Sequence, residues 1–385
     1  MATQVQVRKV DSAGDFKAFF EFPWHLYQDD PYWVPPLLSM RRDLLDKKKN
    51  PAWEYMEGDT FAAWRGNRLV GTIAAFINQR HNEFHEEHIG WFGAFEVYDD
   101  QEAATAMLDT AAEWVRSRGY DAVRGPQTFT THEDVGLLID GFVRPSLLMP
   151  YNYPYYQSLI EHAGFAKSMD LYSFHMSRDK SGDSGLIERL KRITEAVKKR
   201  NKIVIRPIDA KHLKQEFVLF KELYNTAWDK NWGFVPMTPK ELDALVQGLG
   251  TFFDPAFAFF AEVEGVPAGF VLGVPDFNQV LQKADPRPGV PEVITLARAL
   301  WYWKINPIMD WVRIPLLGVK AEYRNKGVDV ALYWSILEAC LNHPRMNQAD
   351  GGWILESNEA MVSVAKNMGL DIYKTHRLYE KGFSS

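Results

Sequence analysis

The same order of predicted elements occurs twice along this chain of 385 residues. Each half opens with a short strand, VQVRKV in the first and KIVIRPI in the second, and two helical segments follow. A β-hairpin comes next in each half, and then a strand that leads into an amphipathic helix. A short strand, a short helix and a last strand complete each half. The repeat predicts two copies of one α/β unit rather than one long fold.

The boundary between the copies is predicted at the stretch SRDKSGDSG, which contains no large apolar side chain and is rich in turn-forming residues. We therefore predict a first domain over residues 1–177, a linker over 178–185 and a second domain over 186–385. With 46% hydrophobic residues, each domain has enough apolar side chains to bury a core.

Composition narrows the class of protein. The formal net charge of −6 gives no overall reason to expect DNA or an anionic membrane as a partner. A single cysteine, Cys340, excludes an intrachain disulfide and suits a reducing compartment. Without a signal-like N-terminus or an apolar run of about 18 residues, we expect a cytoplasmic protein with no membrane partner.

The stretch GVKAEYRNKGVDVALYWSILEAC, Gly318–Cys340, reads as a strand end, a charged turn and a helix that begins near Gly327. The first turn of a helix presents unpaired N–H groups, which favour a phosphate, and Arg324 and Lys326 would add positive charge. By spacing alone, Gly327 fits equally well a tight turn that serves only packing.

Three segments resemble a known family. LGVKAEYRNKGV resembles the coenzyme A-binding segment of the GNAT-type acyltransferases, whose signature is [Q/R]-x-x-G-x-[G/A]; Arg324 and Gly327 match its first and fourth positions. SNEAMVSVAKNMGLDIY resembles a later segment of the family, and YNYPYYQSLIEHAGFAKSMDLY resembles the closing segment of the first domain in tandem bacterial members. The resemblance covers nearly the whole chain.

The resemblance implies two tandem GNAT-like domains, each a twisted, mostly antiparallel mixed sheet that is flanked by helices and splayed to admit acetyl-CoA or another acyl-CoA. Main-chain groups of a strand would bind the pantetheine arm as a strand edge binds a peptide, and the amides of the turn would bind the pyrophosphate. The implied cofactor-binding residues are Leu317, Gly318, Val319, Arg324, Asn325, Lys326, Gly327, Val328, Asp329 and Asn358.

Two departures from the family pattern affect the site. Asp329 stands where the family has Gly or Ala, so its carboxylate either repels a phosphate or supports the helix start. Ala365 stands where the family often has a tyrosine that protonates the leaving thiolate, so another donor is needed. Tyr323, Tyr373 and Tyr379 are the candidate acids, with Tyr373 preferred, and Glu322 and Glu356 are the candidate bases.

The corresponding turn of the first half, in FEVYDDQEAATAML, carries Asp99, Asp100 and Glu102 and has no glycine. Acids at a helix start stabilise the helix but repel phosphate, so we predict no coenzyme A in this copy. A long connection follows its fifth strand, and it is interpreted either as a cover over the sheet or as an acceptor-binding loop. The acceptor-binding candidates are Thr128, Thr131, His132 and Glu133.

The leading hypothesis is an acyl-CoA-dependent N-acyltransferase that acts on an amine of a small molecule or peptide. A non-catalytic acyl-CoA-binding or metabolite-binding module is the alternative, and a ligase that uses aminoacyl-tRNA ranks third. The histidine-rich segment RHNEFHEEH is expected to be a polar loop without a metal, because it lacks the H-E-x-x-H spacing. The sequence does not predict the oligomeric state.

Overall fold

The computed structural model describes residues 4–178, 184–227 and 232–383. The chain forms two compact units: unit 1 holds Met1–Leu171, Leu281–Asn306 and Lys374–Ser385, and unit 2 holds Tyr172–Val280 and Pro307–Tyr373. Most of the predicted linker lies outside the described residues. The repeat-based bounds 1–177 and 186–385 remain a prediction about domains, whereas the compact units are built from interleaved segments.

Unit 1 contains a mixed sheet in the order β1-β2-β3-β4-β5-β13. Its strands are β1 (Val5–Lys9), β2 (Met56–Arg65), β3 (Arg68–Asn78), β4 (Ile89–Val97), β5 (Ala122–Gly125), β6 (Leu137–Asp140), the first half of β7 (Ala166–Ser177) and most of β13 (Asp371–Gly382). Its helices include α1 (Ala13–Leu26), α2 (Leu38–Leu45), α3 (Gln79–His85), α4 (Gln101–Arg116) and α5 (Tyr156–His162).

The core of unit 1 lies between this sheet and α4. The predicted apolar face of α4 is confirmed, since it is fully buried and contributes Ala104, Met107, Leu108, Ala111 and Val115. Asp100 caps the helix by accepting a hydrogen bond from the Ala103 N–H at 3.1 Å. Both the apolar spacing and the cap therefore specify this helix.

Unit 2 repeats the arrangement. Its strands are β8 (Ile203–Pro207), β9 (Ala258–Val263), β10 (Val266–Pro275), β11 (Trp311–Val319) and β12 (Gln348–Leu355), together with the second half of β7. Its helices include α6 (Ser184–Asn201), α7 (Leu213–Ala227), α8 (Pro239–Phe252), α11 (Val328–Asn342) and α12 (Glu359–Asn367). The connection from β10 to β11 contains α9 (Asn278–Ala284) and α10 (Glu292–Leu300), which sequence patterning did not predict.

Each unit has one pair of parallel strands that stays together for only a few residues. In unit 1, Ile89–Trp91 pairs with Ala122–Arg124, and in unit 2, Trp311–Ile314 pairs with Gln348–Gly351. In both units the register also shifts between the preceding strand and the parallel strand, a bulge that bends the sheet. The expected splayed, mostly antiparallel sheet is thus present in both units.

The segment RHNEFHEEH is partly helical, and the expectation of a polar loop was wrong for its first part. The Asn78 side chain accepts a hydrogen bond from the His81 N–H and so caps α3, while Glu86 ends the helix with a φ of 54°. His81 is buried, and its Nε2 lies 2.8 Å from a carboxylate oxygen of Glu87. These local hydrogen bonds stabilise a helix too short to show a periodic pattern.

Candidate functional site

The C-terminal half of β11 presents an edge without a strand partner in the described part of the sheet. Gly269 of β10 lies opposite Val319, and the Lys320 N–H donates to the carbonyl of Ala268 at 2.9 Å. Because backbone groups alternate along an antiparallel strand, Leu317 and Val319 direct their N–H and C=O groups away from β10. This is the edge that the resemblance assigned to the pantetheine arm.

The turn between β11 and α11 exposes the start of a helix. A short 3₁₀ turn at Ala321–Tyr323 leads to Asn325 and Gly327, whose φ angles are 64° and 77°. Gly327 is the N-cap of α11 and offers no side chain to the first amides of the helix. The predicted helix start is confirmed, and the helix supplies N–H groups and a positive dipole end, which suit an anion.

The two cations of the turn have different surroundings. The Arg324 guanidinium donates to the main-chain carbonyls of Ala227 at 2.9 Å and Val319 at 3.4 Å, so it fastens the turn to α7 and β11. The exposed Lys326 ammonium lies 4.9 Å from the ring centre of Tyr323. Arg324 therefore positions the turn, and Lys326 is the cation that a bound anion could approach.

Gly327 also has the packing role that spacing left open. A Cβ atom added there would lie 2.4 Å from Cγ1 of Val197 on α6, and the Asn201 side chain donates to the Lys326 carbonyl at 2.7 Å. Its positive φ is a second reason for glycine. Glycine at this position is thus required by the contact with α6, whatever the turn binds.

Two more of the predicted cofactor residues lie at helix starts. Asp329 is half-buried in the first turn of α11, where a carboxylate favours the helix dipole. Asn358 caps α12 by accepting a hydrogen bond from the Met361 N–H at 3.2 Å. Val328 is fully buried, so only its backbone can face a ligand.

The three predicted catalytic side chains are not brought to one point. Glu322 is exposed in the 3₁₀ turn, and Glu356 is half-buried just after β12. The Tyr373 hydroxyl donates to the carboxylate of Asp350, which is fully buried and also accepts from Arg313 at 2.6 Å. Tyr373 thus belongs to a charged network on the paired part of β11 and β12.

In unit 1, tyrosines occupy the edge that is open in unit 2. Gly71 lies opposite Val97, just as Gly269 lies opposite Val319, so Val97 and Val319 are equivalent positions. The Val97 N–H donates to the Tyr156 hydroxyl at 2.9 Å, and the Tyr155 hydroxyl donates to the Val97 carbonyl at 2.8 Å. Both hydrogen-bonding groups of this edge position are thereby satisfied within the protein.

The helix start of unit 1 is occupied as well. Arg65 forms ion pairs of 2.8 Å with both Asp100 and Glu102, and Glu102 accepts from the backbone N–H of Val5 at 3.1 Å. These acids hold β1 and β2 against the start of α4. An anion would have to displace carboxylates that already take part in capping and ion pairing.

Sequence reasoning missed a titratable group in unit 1. Glu96 of β4 is half-buried and accepts hydrogen bonds from the hydroxyls of Tyr27 at 2.7 Å and Tyr156 at 2.9 Å. Burial raises the pKa of the Glu96 carboxyl to about 7 despite these bonds. A glutamate in the otherwise apolar strand IGWFGAFEV was the signal available in the sequence.

The candidate acceptor-binding residues lie in the connection between β5 and β6. Thr128, Thr131, His132 and Glu133 share a tightly hydrogen-bonded loop, in which the Glu133 carboxylate accepts from the Thr130 N–H at 3.1 Å and from the Asn50 side chain at 3.0 Å. The Thr128 N–H donates to the Asp134 carbonyl at 2.8 Å. These hydrogen bonds order the loop. An ordered loop fits both interpretations, a cover over the sheet and an acceptor-binding loop.

Comparison with known proteins identifies the family. The chain is 32% identical over 380 residues to protein YghO of Escherichia coli (strain K12), which covers 97% of this chain and 95% of that protein. It is also 32% identical over 388 residues to a bacterial ceramide synthase of Caulobacter vibrioides, covering 98% and 97% of the two chains. The model of the acetyltransferase (GNAT) family matches residues 20–131. The chain belongs to the GNAT acyltransferases.

The tandem architecture is shared with solved members of the GNAT fold. A tandem GNAT protein from the clavulanic acid biosynthesis pathway superposes with a TM-score of 0.53 over 99% of this chain and 100% of that chain, at 13% identity. That likeness supports the predicted tandem GNAT fold. GNAT enzymes transfer the acyl group of an acyl-CoA, so this chain is an acyltransferase-type enzyme.

The family match falls on the copy whose cofactor edge is filled. Residues 20–131 include Val97 and the acidic start of α4, although the glycine and cations of the family signature stand in unit 2. The match to residues 20–131 thus does not assign the cofactor to either copy. The assignment of the cofactor to unit 2 remains a prediction that depends on the geometry of the two edges.

Proposed function

We propose that this protein is an acyl-CoA-dependent N-acyltransferase with one cofactor site per chain, in unit 2. The observation that carries the proposal is the contrast between equivalent strand positions. The Val319 N–H faces an open edge next to an uncapped helix start, and the Val319 carbonyl accepts only a long hydrogen bond from Arg324, whereas both backbone groups of Val97 are bonded to tyrosines. A pantetheine arm needs free strand groups and a pyrophosphate needs approachable amides, and unit 2 offers both.

The residues of unit 2 fit this cofactor. The backbone of Leu317 and Val319 would hold the arm, while the amides that follow Gly327, with Lys326 beside them, would hold the pyrophosphate. The acyl-CoA supplies a thioester carbonyl activated towards an amine. The free N–H groups of β11 lie where they could stabilise negative charge on the oxygen of that carbonyl.

The same proposal includes a fatty acyl group as the group transferred and a lipid-like amine as the acceptor. The relative from Caulobacter vibrioides is named a ceramide synthase, and ceramide is the N-acyl derivative of a long-chain amine. Unit 2 contains a pocket between α7, α8 and the sheet with an almost entirely apolar lining. Val271 and Leu272 of this lining lie opposite Leu317 and Leu316 of β11, one strand spacing of about 4.8 Å away. An acyl tail that leaves the β11 edge could enter this pocket.

Filling the pocket tests the acyl chain. Ala258 is a small, buried residue of the pocket lining. We expect Ala258→Leu to lower the rate with palmitoyl-CoA on the order of tenfold and to leave the rate with acetyl-CoA nearly unchanged, because only the long chain needs the space. Equal losses with both donors would remove the pocket from the proposal.

Calorimetric titration with coenzyme A tests the cofactor site. We expect a stoichiometry near one per chain, and a loss of affinity on the order of tenfold for Lys326→Glu because the reversed charge repels the pyrophosphate. Lys211→Glu is the matched control, since Lys211 is an exposed cation elsewhere in unit 2. Two equivalent sites per chain, or equal affinity of the Lys326 variant and the control, would contradict the proposal.

The second candidate is a member of the family that binds acyl-CoA but has lost the transfer step. It is favoured by Ala365, which is buried where the family often has its proton-donating tyrosine. Thiol release from palmitoyl-CoA in the presence of a long-chain amine separates the two functions. Binding without any release across a panel of amines would select the second candidate.

The acceptor is proposed to contact the loop of Thr128, Thr131, His132 and Glu133 in unit 1. The loop combines hydroxyl, imidazole and carboxylate groups, which can hold an amine and neighbouring hydroxyls. We expect Thr131→Val and His132→Ala to raise the KM for the amine while leaving the Kd of coenzyme A unchanged. A changed cofactor Kd with an unchanged amine KM would remove this assignment.

A further inference from the structure

Helix α10 turns its apolar side to solvent. Its inward positions are Thr295 and Ala299, which are 0% and 4% exposed, whereas Val293, Leu296 and Leu300 are 70%, 48% and 52% exposed. A surface helix normally shows the opposite arrangement, with large apolar side chains packed inward. An exposed apolar ridge of this kind marks an interaction site.

The ridge continues into the π-helical segment Trp301–Ile305 that follows α10. Trp301 and Ile305 are 50% and 64% exposed, and the Lys304 ammonium lies 3.9 Å from the ring centre of Trp303. Tryptophan, tyrosine and lysine together are typical of segments that lie at the boundary between lipid and water. The composition of the ridge is therefore that of an interfacial helix.

The segment that carries the ridge is attached to α1 and α2. The Glu292 carboxylate accepts from the backbone N–H of Ser39 at 2.8 Å, and the Trp24 indole donates to the Pro286 carbonyl at 2.6 Å. These bonds anchor the start of α10 while its large apolar side chains face solvent. In the equivalent place of the first copy, residues 79–88 contain only the short helix α3, so the ridge is an addition to the repeated fold.

The cations of this segment favour an anionic bilayer over a second copy of the chain as the partner. Residues 292–305 carry two cations, Arg298 and Lys304, and one acid, Glu292, whose carboxylate is hydrogen-bonded to Ser39, in a chain whose formal net charge is −6. A symmetric pairing of two copies would bring Arg298 and Lys304 of both chains to one interface, whereas an anionic bilayer attracts them. We propose that Glu292–Ile305 is a membrane-docking surface that inserts its apolar ridge into the headgroup region of a phospholipid bilayer with anionic lipids.

The proposal departs from the expectation of no membrane partner, which was based on net charge. In the described part of the chain, no helix is long and apolar enough to span a bilayer. A helix that lies in the lipid–water interface needs no membrane-spanning segment. It also does not require the chain as a whole to be positively charged. It concerns the surface of unit 1 and does not depend on the acyl-transfer proposal.

Co-sedimentation of the full chain with vesicles tests the surface. With vesicles of phosphatidylcholine and phosphatidylglycerol in equal parts, we expect the wild-type protein to bind and Leu296→Glu/Leu300→Glu to bind at least about tenfold more weakly. The matched control is Val204→Glu/Val218→Glu, which alters two valines that are 56% and 67% exposed in unit 2 and should bind like the wild type.

A second variant tests the charge. Arg298→Gln/Lys304→Gln should lose about fivefold in affinity per cation on these vesicles, and should not change the weaker binding to phosphatidylcholine alone. Circular dichroism and light scattering establish the fold and the oligomeric state of each variant, and none of the assays requires a substrate. No vesicle binding by the wild type, equal binding by the Leu296/Leu300 variant, or self-association that this variant abolishes without an effect on vesicle binding would overturn the proposal.

Discussion

The charge of Glu96 is costly to the fold. Its carboxylate receives two tyrosine hydroxyl bonds in a half-buried position of β4, yet desolvation is the larger influence and raises its pKa from 4.5 to about 7. The folded protein therefore binds a proton at this residue between about pH 4.5 and 7 that the unfolded chain has released. The free energy of unfolding therefore falls with rising pH in that window, because the folded state binds more protons there than the unfolded chain does.

We predict that Glu96→Gln removes this pH dependence. The free energy of unfolding of the variant, relative to wild type, should rise from about pH 4.5 to 7 by at most on the order of 3 kcal/mol, since the amide has no charge to bury. Urea unfolding at a series of pH values measures it. As a control, Glu102→Gln should differ from wild type by a constant amount between about pH 4.5 and 7 and show the opposite trend only below about pH 4.5, because the hydrogen bonds from Val5 and Arg65 lower the pKa of Glu102. A pH-independent difference for Glu96→Gln would show that its carboxyl is not perturbed.

At the scale of elements, sequence patterning predicted α4, α11 and both hairpins because apolar periodicity and turn residues specify them locally. It did not predict α3 or α10, since α3 depends on its caps and α10 presents an inverted pattern. The open edge at Leu317 and Val319 followed from the family resemblance. The hydroxyls that fill the equivalent edge at Val97 could not be predicted, because they come from Tyr155 and Tyr156 at the start of α5, far along the chain.

Gly327 at the start of α11 allows a test of how the turn packs against α6. We predict that Gly327→Ala lowers stability by about 1–3 kcal/mol, because the methyl group meets Val197 and the φ of 77° is unfavourable for alanine. Gly265→Ala is the matched control, with a φ of 82° and open space around its Cβ position. Chemical denaturation of both variants isolates the packing contribution as their difference. Val197→Ala should relieve most of that difference, and a Gly327 variant as stable as the Gly265 variant would show that α6 does not constrain the turn.

At the scale of the whole molecule, the two compact units do not coincide with two consecutive stretches of chain. The last strand, β13, pairs with β5 of unit 1 through Tyr379–Gly382, and Tyr379 is fully buried there. Conversely, Tyr172–Ser177 belongs to unit 2, where Arg178 donates to the carbonyls of Cys340, His343 and Met346 at 2.6–2.8 Å. Local patterns identified the repeated elements, but this exchange of segments depends on contacts between residues that are distant in sequence.

The exchange predicts the behaviour of a chain cut between the copies. If a protease site is placed within residues 179–183, the two fragments should remain together after cleavage, because residues 374–383 complete the sheet of unit 1 and residues 172–178 complete unit 2. Size-exclusion chromatography of the cleaved protein measures this, and hydrogen exchange should show that the amides of Ala122–Gly125 stay protected. The control is the same cleavage after deletion of residues 374–385, which should expose the amides of Ala122–Gly125 that face β13, since β5 then pairs only with β4. Separation into two folded fragments, each with its sheet intact, would show that each copy folds from its own residues alone.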